Sequence, residues 1–465
     1  MPAYRQLYEK LRAAILDGRL RGGVRIPSSR VLAMDLQISR NTVISTYDTL
    51  LSEGFLESRR GSGTFVADLP RSAERARRQA GGSKLPSLSA RGRLMADQPQ
   101  FGANHGQITF HPGYPDLRHF PFPVWSRLMT ANVRRANQEL IGYSMIDGHP
   151  ELKQAIVEYL AVSRGVQCEP AQIIVVSGTQ AALDLTARLL LDPGDHFWIE
   201  EPGYQGAYGA FLGAGGRPVP IPIRSDGWAF PSGPAPRLVF VTPSCQWPLT
   251  GVMQMDDRLR LLQLASEHDC WIIEDDYDSE YRFRGHAIPA MRGVDGSGRV
   301  IYIGTFAKTM FPALRIGFMV VPRALAADFT RAVNMTGQYP SLLLQLTLAD
   351  FIRTGAFAAH LRRMRSLYAK RKRYFADECR RMLAPWIDLP RSEAGLQMIA
   401  TLKFECDDQQ LLDAALRRSV RFIPLSTLYR HTPPRQGMIL GYAASDEAQI
   451  RHGLRQLRAV LQDFA

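Results

Sequence analysis

Apolar positions change period along this chain, and the changes divide it. From Tyr4 to Leu16 they fall at Leu7, Tyr8, Leu11 and Ile15, the spacing of one helix face. Pro27-Ser28-Ser29 offers an N-cap for a short helix, Arg30 to Leu36, carrying Val31, Leu32 and Leu36. After Gln37-Ile38, Ser39 caps a third helix expected to reach about Glu53 and stop at Gly54, with Val43, Tyr47 and Leu50 turned inward. Phe55 to Arg59 and Thr64 to Val66 flank the turn Arg60-Gly61-Ser62-Gly63, which predicts a two-strand hairpin with a basic tip. Large apolar residues then become sparse from 67 to 107, through Arg75-Ala76-Arg77-Arg78 and Gly81-Gly82-Ser83, as in a mobile linker. From about residue 108, short apolar runs alternate with longer helical patterns, the mark of βαβ units on a largely parallel sheet.

Composition narrows the class. With 465 residues, 45% apolar and 22% charged, the chain is long enough for two or three globular domains. No apolar stretch reaches the length of a membrane span, and Met1 to Arg5 lack the pattern of a secretory signal, so no membrane partner and a cytoplasmic protein are expected. The five cysteines are scattered without a Cys-x-x-Cys pair, which argues against a metal site or a disulfide framework. The formal charge is +13, and residues 1–105 carry 17 Lys/Arg against 9 Asp/Glu, or +8 of it. Such an excess suits a segment that meets phosphate backbones.

Candidate chemistry sits at helix starts and strand ends. The outward face of the third helix opens with Arg40, Asn41 and Thr42, followed by Ser45 and Thr46, side chains able to read base edges. Farther on, lysine is rare, seven against 50 arginines, and Lys308 follows the β-like run Val300 to Phe306. A lysine there projects into the crevice where open α/β sheets bind ligands, and burial lowers its pKa as Schiff-base chemistry requires. Trp271 to Asp275 is an apolar run ending in carboxylates, and a carboxylate beneath a pyridine nitrogen keeps that nitrogen protonated. Tyr277 could donate to a ring oxygen, and Tyr204, after Glu200-Glu201-Pro202-Gly203, could stack on a planar ring. Ser177-Gly178-Thr179 precedes a helix from Ala181 to Leu191 whose free N–H groups suit a phosphate, and Arg315 offers a guanidinium fork.

Two resemblances join these fragments. Pro27-Ser28-Ser29-Arg30, Ser39-Arg40-Asn41-Thr42-Val43, Glu53-Gly54 and Gly61-Ser62-Gly63-Thr64-Phe65-Val66 resemble the GntR-type winged helix-turn-helix. That likeness implies contacts to double-stranded operator DNA from Ser28, Ser29, Arg30, Ser39, Arg40, Asn41, Thr42, Ser45, Arg59, Gly61 and Gly63. His111 to Asp116, Phe120-Pro121, Tyr143, Gly148, Pro150 to Leu152, Glu274 to Glu280 and Gly304 to Lys308 resemble fold-type I aminotransferases, and more closely MocR/GabR-type regulators. The implied plan is a multidomain chain: an α-rich DNA-binding domain at 1–67, a flexible linker at 68–107 and an α/β PLP-dependent transferase fold at 108–465. Within the last, the large subdomain is expected at about 145–330 and the small one mainly at 340–465.

By the same resemblance the cofactor is pyridoxal 5'-phosphate. Lys308 is its Schiff-base lysine, Asp275 holds the ring nitrogen, Tyr277 meets the ring oxygen and Tyr204 stacks. Ser177, Gly178, Thr179, Thr305 and Arg315 hold the phosphate. The family pattern further implies a head-to-tail homodimer sensing a small amine or amino acid by aldimine exchange. Four departures matter. Trp247 stands where aminotransferases carry Asn, Cys245 where such regulators carry His, Gly437 to Ala443 contains no carboxylate-binding arginine, and Gly206 replaces the second arginine of a GABA-responsive regulator. They point away from GABA and toward at most vestigial transaminase activity. A regulator sensing pyridoxal phosphate to control vitamin B6 synthesis, or an active aminotransferase carrying a DNA-binding domain, are the alternatives.

Overall fold

The computed structural model describes residues 3–59, 61–68, 87–96, 108–142, 147–283, 288–390, 392 and 394–465. Arg60 at the expected wing tip, Tyr143 and most of the stretch read as linker, with Arg75 to Arg78 and Gly81 to Ser83, lie outside them. The chain divides into two compact units, Met1–Ser87 and Leu88–Ala465.

In the first unit, helices α1 (Ala3–Leu16), α2 (Ser29–Asp35) and α3 (Arg40–Ser52) precede the antiparallel strands β1 (Leu56–Arg59) and β2 (Gly63–Val66). Leu7, Ile15, Ala33, Val43, Tyr47, Leu50, Leu56 and Val66 form one core. Ser28 and Ser39 cap α2 and α3, their hydroxyls accepting from the N–H groups of Val31 and Thr42. Gly54 leaves α3 at φ +76°, a left-handed conformation that glycine adopts without strain. Two expectations need correction. The second helix ends at Asp35, with Leu36 as its C-cap, and buries only its Leu32–Ala33 side. Thr46 is wholly buried rather than outward, its hydroxyl donating to the carbonyls of Tyr4 and Thr42.

In the second unit eight strands form one sheet: β3 (Ile173–Val176), β4 (His196–Glu201), β5 (Arg217–Arg224), β6 (Gly227–Trp228), β7 (Leu238–Val241), β8 (Trp271–Asp276), β9 (Val300–Thr305) and β10 (Gly317–Val320). Their order is β3-β10-β9-β8-β7-β4-β5-β6. Pairs β9–β8, β8–β7, β7–β4 and β4–β5 are parallel, whereas β10 runs antiparallel to both β9 and β3. Alternate residues pack on opposite faces: Ile174 and Val176 with the helices Thr179–Leu190 and Gln205–Ala214, Ile173 and Val175 with Pro150–Arg164 and Leu342–Arg353. Burial on both faces explains why these strands read as continuous apolar runs.

A second, antiparallel sheet of Ile387–Asp388, Gln397–Leu402, Gly437–Gly441 and Ile423–Pro424 shares a core with the long helix Ala356–Leu383 and with Glu447–Phe464. Ile108–Thr109 pairs with Val420–Arg421, and Phe110 is buried against Phe375 in that core, so the start of this unit belongs with its C-terminal part. Inside the stretch expected as linker, Ala90–Ala96 forms a helix on Gln205–Ala214, with Met95 against Gly213. Leu94 and Met95, the apolar pair of that helix, are too few for a periodic signal.

Candidate functional site

The register of the large sheet brings the carboxyl ends of four strands to one edge. Gly317 pairs with both Val176 and Thr305, Gly304 with Asp276, and Val241 with Glu274, so the carboxyl ends of β3, β7, β8 and β9 stand level. Antiparallel β10 begins where they end, which places Arg315 at the same edge. A cavity of about 250 Å³ opens there, lined by Gly178, Thr179, Gln180, Tyr204, Thr242, Trp247, Asp275, Tyr277, Thr305, Ala307, Lys308, Pro312, Arg315 and Ile316. Eight of the nine cofactor-site residues expected from sequence share this wall. Ser177 does not: its N–H donates to the carbonyl of Gln338.

Lys308 Nζ donates to the carbonyl of Gly113 at 2.9 Å. Burial lowers its pKa, while the Asp278 and Asp275 carboxylates oppose that shift. Gly113 has φ +73°, and a Cβ there would stand 2.6 Å from Nζ, so only glycine permits this approach. Asp275 is 4% exposed, and its Oδ1 has no hydrogen-bond partner. Burial, reinforced by neighbouring Asp276, raises its pKa to about 8. Asp276, in contrast, is paired with Arg164 at 2.6 Å and accepts from the Tyr302 hydroxyl at 2.6 Å.

Burial pushes Tyr204 up to about 12 and Tyr277 well above the usual tyrosine range. The Tyr277 hydroxyl lies 3.6 Å from Cys245 Sγ, and its ring meets Trp247 edge-on at 5.9 Å. Gly178, at φ +96°, is the N-cap of Thr179–Leu190 and supplies no side chain to cap it. The Arg315 guanidinium lies 3.9 Å from where a Gly178 Cβ would be, at the positive end of that helix. A buried carboxyl group whose Oδ1 lacks a partner, an amine whose charged form burial disfavours, and a helix start facing an arginine fit pyridoxal phosphate: ring nitrogen, aldehyde and phosphate each find a matching partner.

Supporting residues went unread in the sequence. Glu200 accepts from Trp228 Nε1, Thr242 N and Oγ1 and Gln246 Nε2, and burial raises its pKa to about 7. Glu201 accepts from the N–H groups of Arg430, His431 and Thr432, tying the strand end to the loop between the last two small-sheet strands. Fully buried Arg258 donates to the carbonyls of Pro243, Met253 and Pro289. A run of two carboxylates at a strand end was the only available signal, and it marks scaffolding as readily as chemistry. Arg430 is exposed and engaged with Gln205 Oε1 at 2.8 Å.

In the first unit Arg40, Asn41 and Ser45 are exposed on α3, as are Ser28 and Arg30 beside it. Ser29 and Thr42 are half-buried, and Ser39 is exposed at its cap. On the hairpin, Gly61 and Gly63 have φ +79° and +110°. Arg59 is paired with Glu57 at 2.6 Å and lies over the Phe65 ring, so the wing is less basic than its sequence suggests. Among the described residues no single helix is long and apolar enough to cross a membrane.

Comparison with known proteins agrees with both halves. Residues 3–66 match the bacterial regulatory proteins of the gntR family, and residues 113–457 match aminotransferase class I and II. The chain is 56% identical over 461 residues to a probable rhizopine catabolism regulatory protein, MocR, of Rhizobium meliloti, covering 99% of this chain and 94% of that one. It is 34% identical to the HTH-type transcriptional regulator YdeL of Bacillus subtilis, covering 99% and 96%. Among solved structures, a kynurenine aminotransferase of Pyrococcus horikoshii in complex with PMP superposes with a TM-score of 0.71 at 25% identity, over 80% of this chain and 93% of that one. The chain belongs to the MocR-type transcription regulators, in which a gntR-family DNA-binding domain is joined to an aminotransferase-like domain.

Proposed function

We propose that the chain is a DNA-binding regulator whose aminotransferase-like domain holds pyridoxal phosphate and through it senses a small amine or amino acid. Pyridoxal phosphate supplies an aldehyde that condenses with primary amines, so a free amine can compete with Lys308 for the same carbon. Lys308, whose charged form burial disfavours, is the nucleophile. Asp275 accepts a hydrogen bond from the ring nitrogen and so keeps it protonated, Tyr277 donates to the ring oxygen, and Tyr204 covers one face. Gly178, Thr179, Thr305 and Arg315 take the phosphate.

In the reader, Arg40, Asn41 and Ser45 meet base edges and the caps of α2 and α3 meet phosphates. A head-to-tail homodimer offers two readers to two half-sites. Different contacts made with and without the effector bias the domain between two arrangements and so change operator affinity.

One observation carries this reading: the unpartnered Oδ1 of Asp275 in the same cavity as Lys308. The test is borohydride reduction after incubation with pyridoxal phosphate, followed by peptide mass analysis. A pyridoxyl group on Lys308 is expected, and Lys308→Ala should lose it while keeping basal DNA binding. Label on other lysines with Lys308 unmodified overturns the reading.

A further inference from the structure

Gln397 begins a strand of the small sheet, opposite Gly441, and is wholly buried. Neither Oε1 nor Nε2 of its amide has a hydrogen-bond partner. An amide removed from water and left unpaired is costly, so one kept at such a place calls for a reason.

Its neighbours supply one. The segment leading to Gln397 is strapped to the loop that leaves β8. Ala394 bridges to Arg282, Gly395 N donates to the Tyr281 carbonyl at 3.1 Å, and Leu396 N donates to Asp278 Oδ2 at 2.9 Å. The Tyr442 hydroxyl donates to the Gly395 carbonyl at 2.5 Å, and a Cβ on Gly395 would stand 3.3 Å from Cys245 Sγ. That strap sets Gln397 beside Tyr277, because the residue before the one is bonded to the residue after the other, Leu396 N to Asp278 Oδ2, and the amide opposes in part the rise that burial imposes on the Tyr277 pKa. Tyr277 has a single proton and two directions for it: inward to the cavity, or back to Cys245 Sγ at 3.6 Å.

We propose that Gln397 is a positioning residue for Tyr277, its amide N–H donating to the phenolic oxygen so that the hydroxyl proton faces the cavity instead of the Cys245 sulfur. This rests on the reading that Tyr277 meets the ring oxygen of bound pyridoxal phosphate. Gln397 sits on the small sheet and Tyr277 follows a strand of the large one. A shift of one sheet against the other is thereby felt at the ring oxygen.

The experiment is a double-mutant cycle on the full-length protein loaded with pyridoxal phosphate, reading the pH midpoint of the cofactor's absorbance change. Loss of the donor to the ring oxygen makes that oxygen more basic. Gln397→Leu should therefore raise the midpoint by about one unit, and should add no shift in a Tyr277→Phe background. Gln397→Met, which keeps the length but not the amide, should behave as Gln397→Leu and serves if the latter does not fold. An unchanged midpoint in both variants, or an equal shift with and without the Tyr277 hydroxyl, overturns the proposal. A wild-type protein with no cofactor absorbance at all overturns the cofactor reading, and this proposal with it.

Discussion

Gly206 lies against the ring of Tyr204: a Cβ on the glycine would stand 2.5 Å from both Cε1 and Cζ of the tyrosine, with Gln180 Oε1 closer still. Neither the ring nor the Gln180 side chain, whose Nε2 donates to the Gly206 carbonyl, can yield without leaving the cavity wall. Gly206→Ala should displace the Tyr204 ring and weaken cofactor binding about ten-fold, with an overpacking cost of about 1–3 kcal/mol in stability. Absorbance titration with pyridoxal phosphate and thermal melts measure the two effects. Unaltered affinity would show that Tyr204 does not cover the ring.

Gly113 serves Lys308 in a second way that can be separated from backbone strain. Gly113→Ala forces an L-residue into the left-handed region, costing about 1–2 kcal/mol, and pushes a methyl group into Nζ. Gly337, at φ +62° with no atom within 4 Å of its Cβ position, imposes the strain alone. Both variants should lower Tm similarly. Only Gly113→Ala should slow reductive labelling of Lys308, and equal labelling in both would refute the contact's role.

The proton on Asp275 gives the cofactor-free protein a pH signature. Its folded pKa, about 8, lies above the model-compound value of 3.8, so the folded state holds this proton where the unfolded chain has lost it. Its stabilising contribution is full below the unfolded pKa and disappears as pH rises through about 8. Asp275→Asn mimics the protonated form at every pH. The Tm of that variant should match wild type only below the unfolded pKa, at about pH 3, and exceed it by a growing margin as pH rises to about 8.5. Parallel curves would mean that Asp275 is ionised throughout.

Two side chains of α3 should separate recognition from stability. Arg40 is exposed at the first turn, so Arg40→Ala should weaken operator binding by about 1–3 kcal/mol and relax operator preference. Thr46→Val, which loses the bonds to Tyr4 and Thr42, should cost about 1 kcal/mol of stability and leave operator preference unchanged. Fluorescence anisotropy and denaturant melts distinguish them.

The strand ends were legible because burial on both faces makes each strand a solid apolar run, and chemistry follows where the run stops. Lys308, Asp275, Tyr277 and Tyr204 could be found in that way. Supporting groups could not. Arg258, Arg164 and Gln397 act through partners remote in sequence, and Gly113 matters only because Lys308, 195 residues away, reaches its carbonyl. The reversed direction of β10 also left no trace in period, since an antiparallel strand buried on both faces has the same apolar pattern as a parallel one. Thr46 was misplaced for a related reason: a threonine on a helix hides its hydroxyl by bonding to the preceding turn, as Thr46 does with Thr42.

That reversed strand has a mechanical result. β9 and β10 are joined by residues 306–316, and Lys308 and Arg315 lie near the two ends of that loop, whose base is closed by the pairing of Thr305 with Gly317 and by Phe306 N–H donating to the Ile316 carbonyl. A group held by both side chains would hang from this one loop. Were an amine to take the place of Lys308, Arg315 would remain at the other end of the same loop to hold a phosphate.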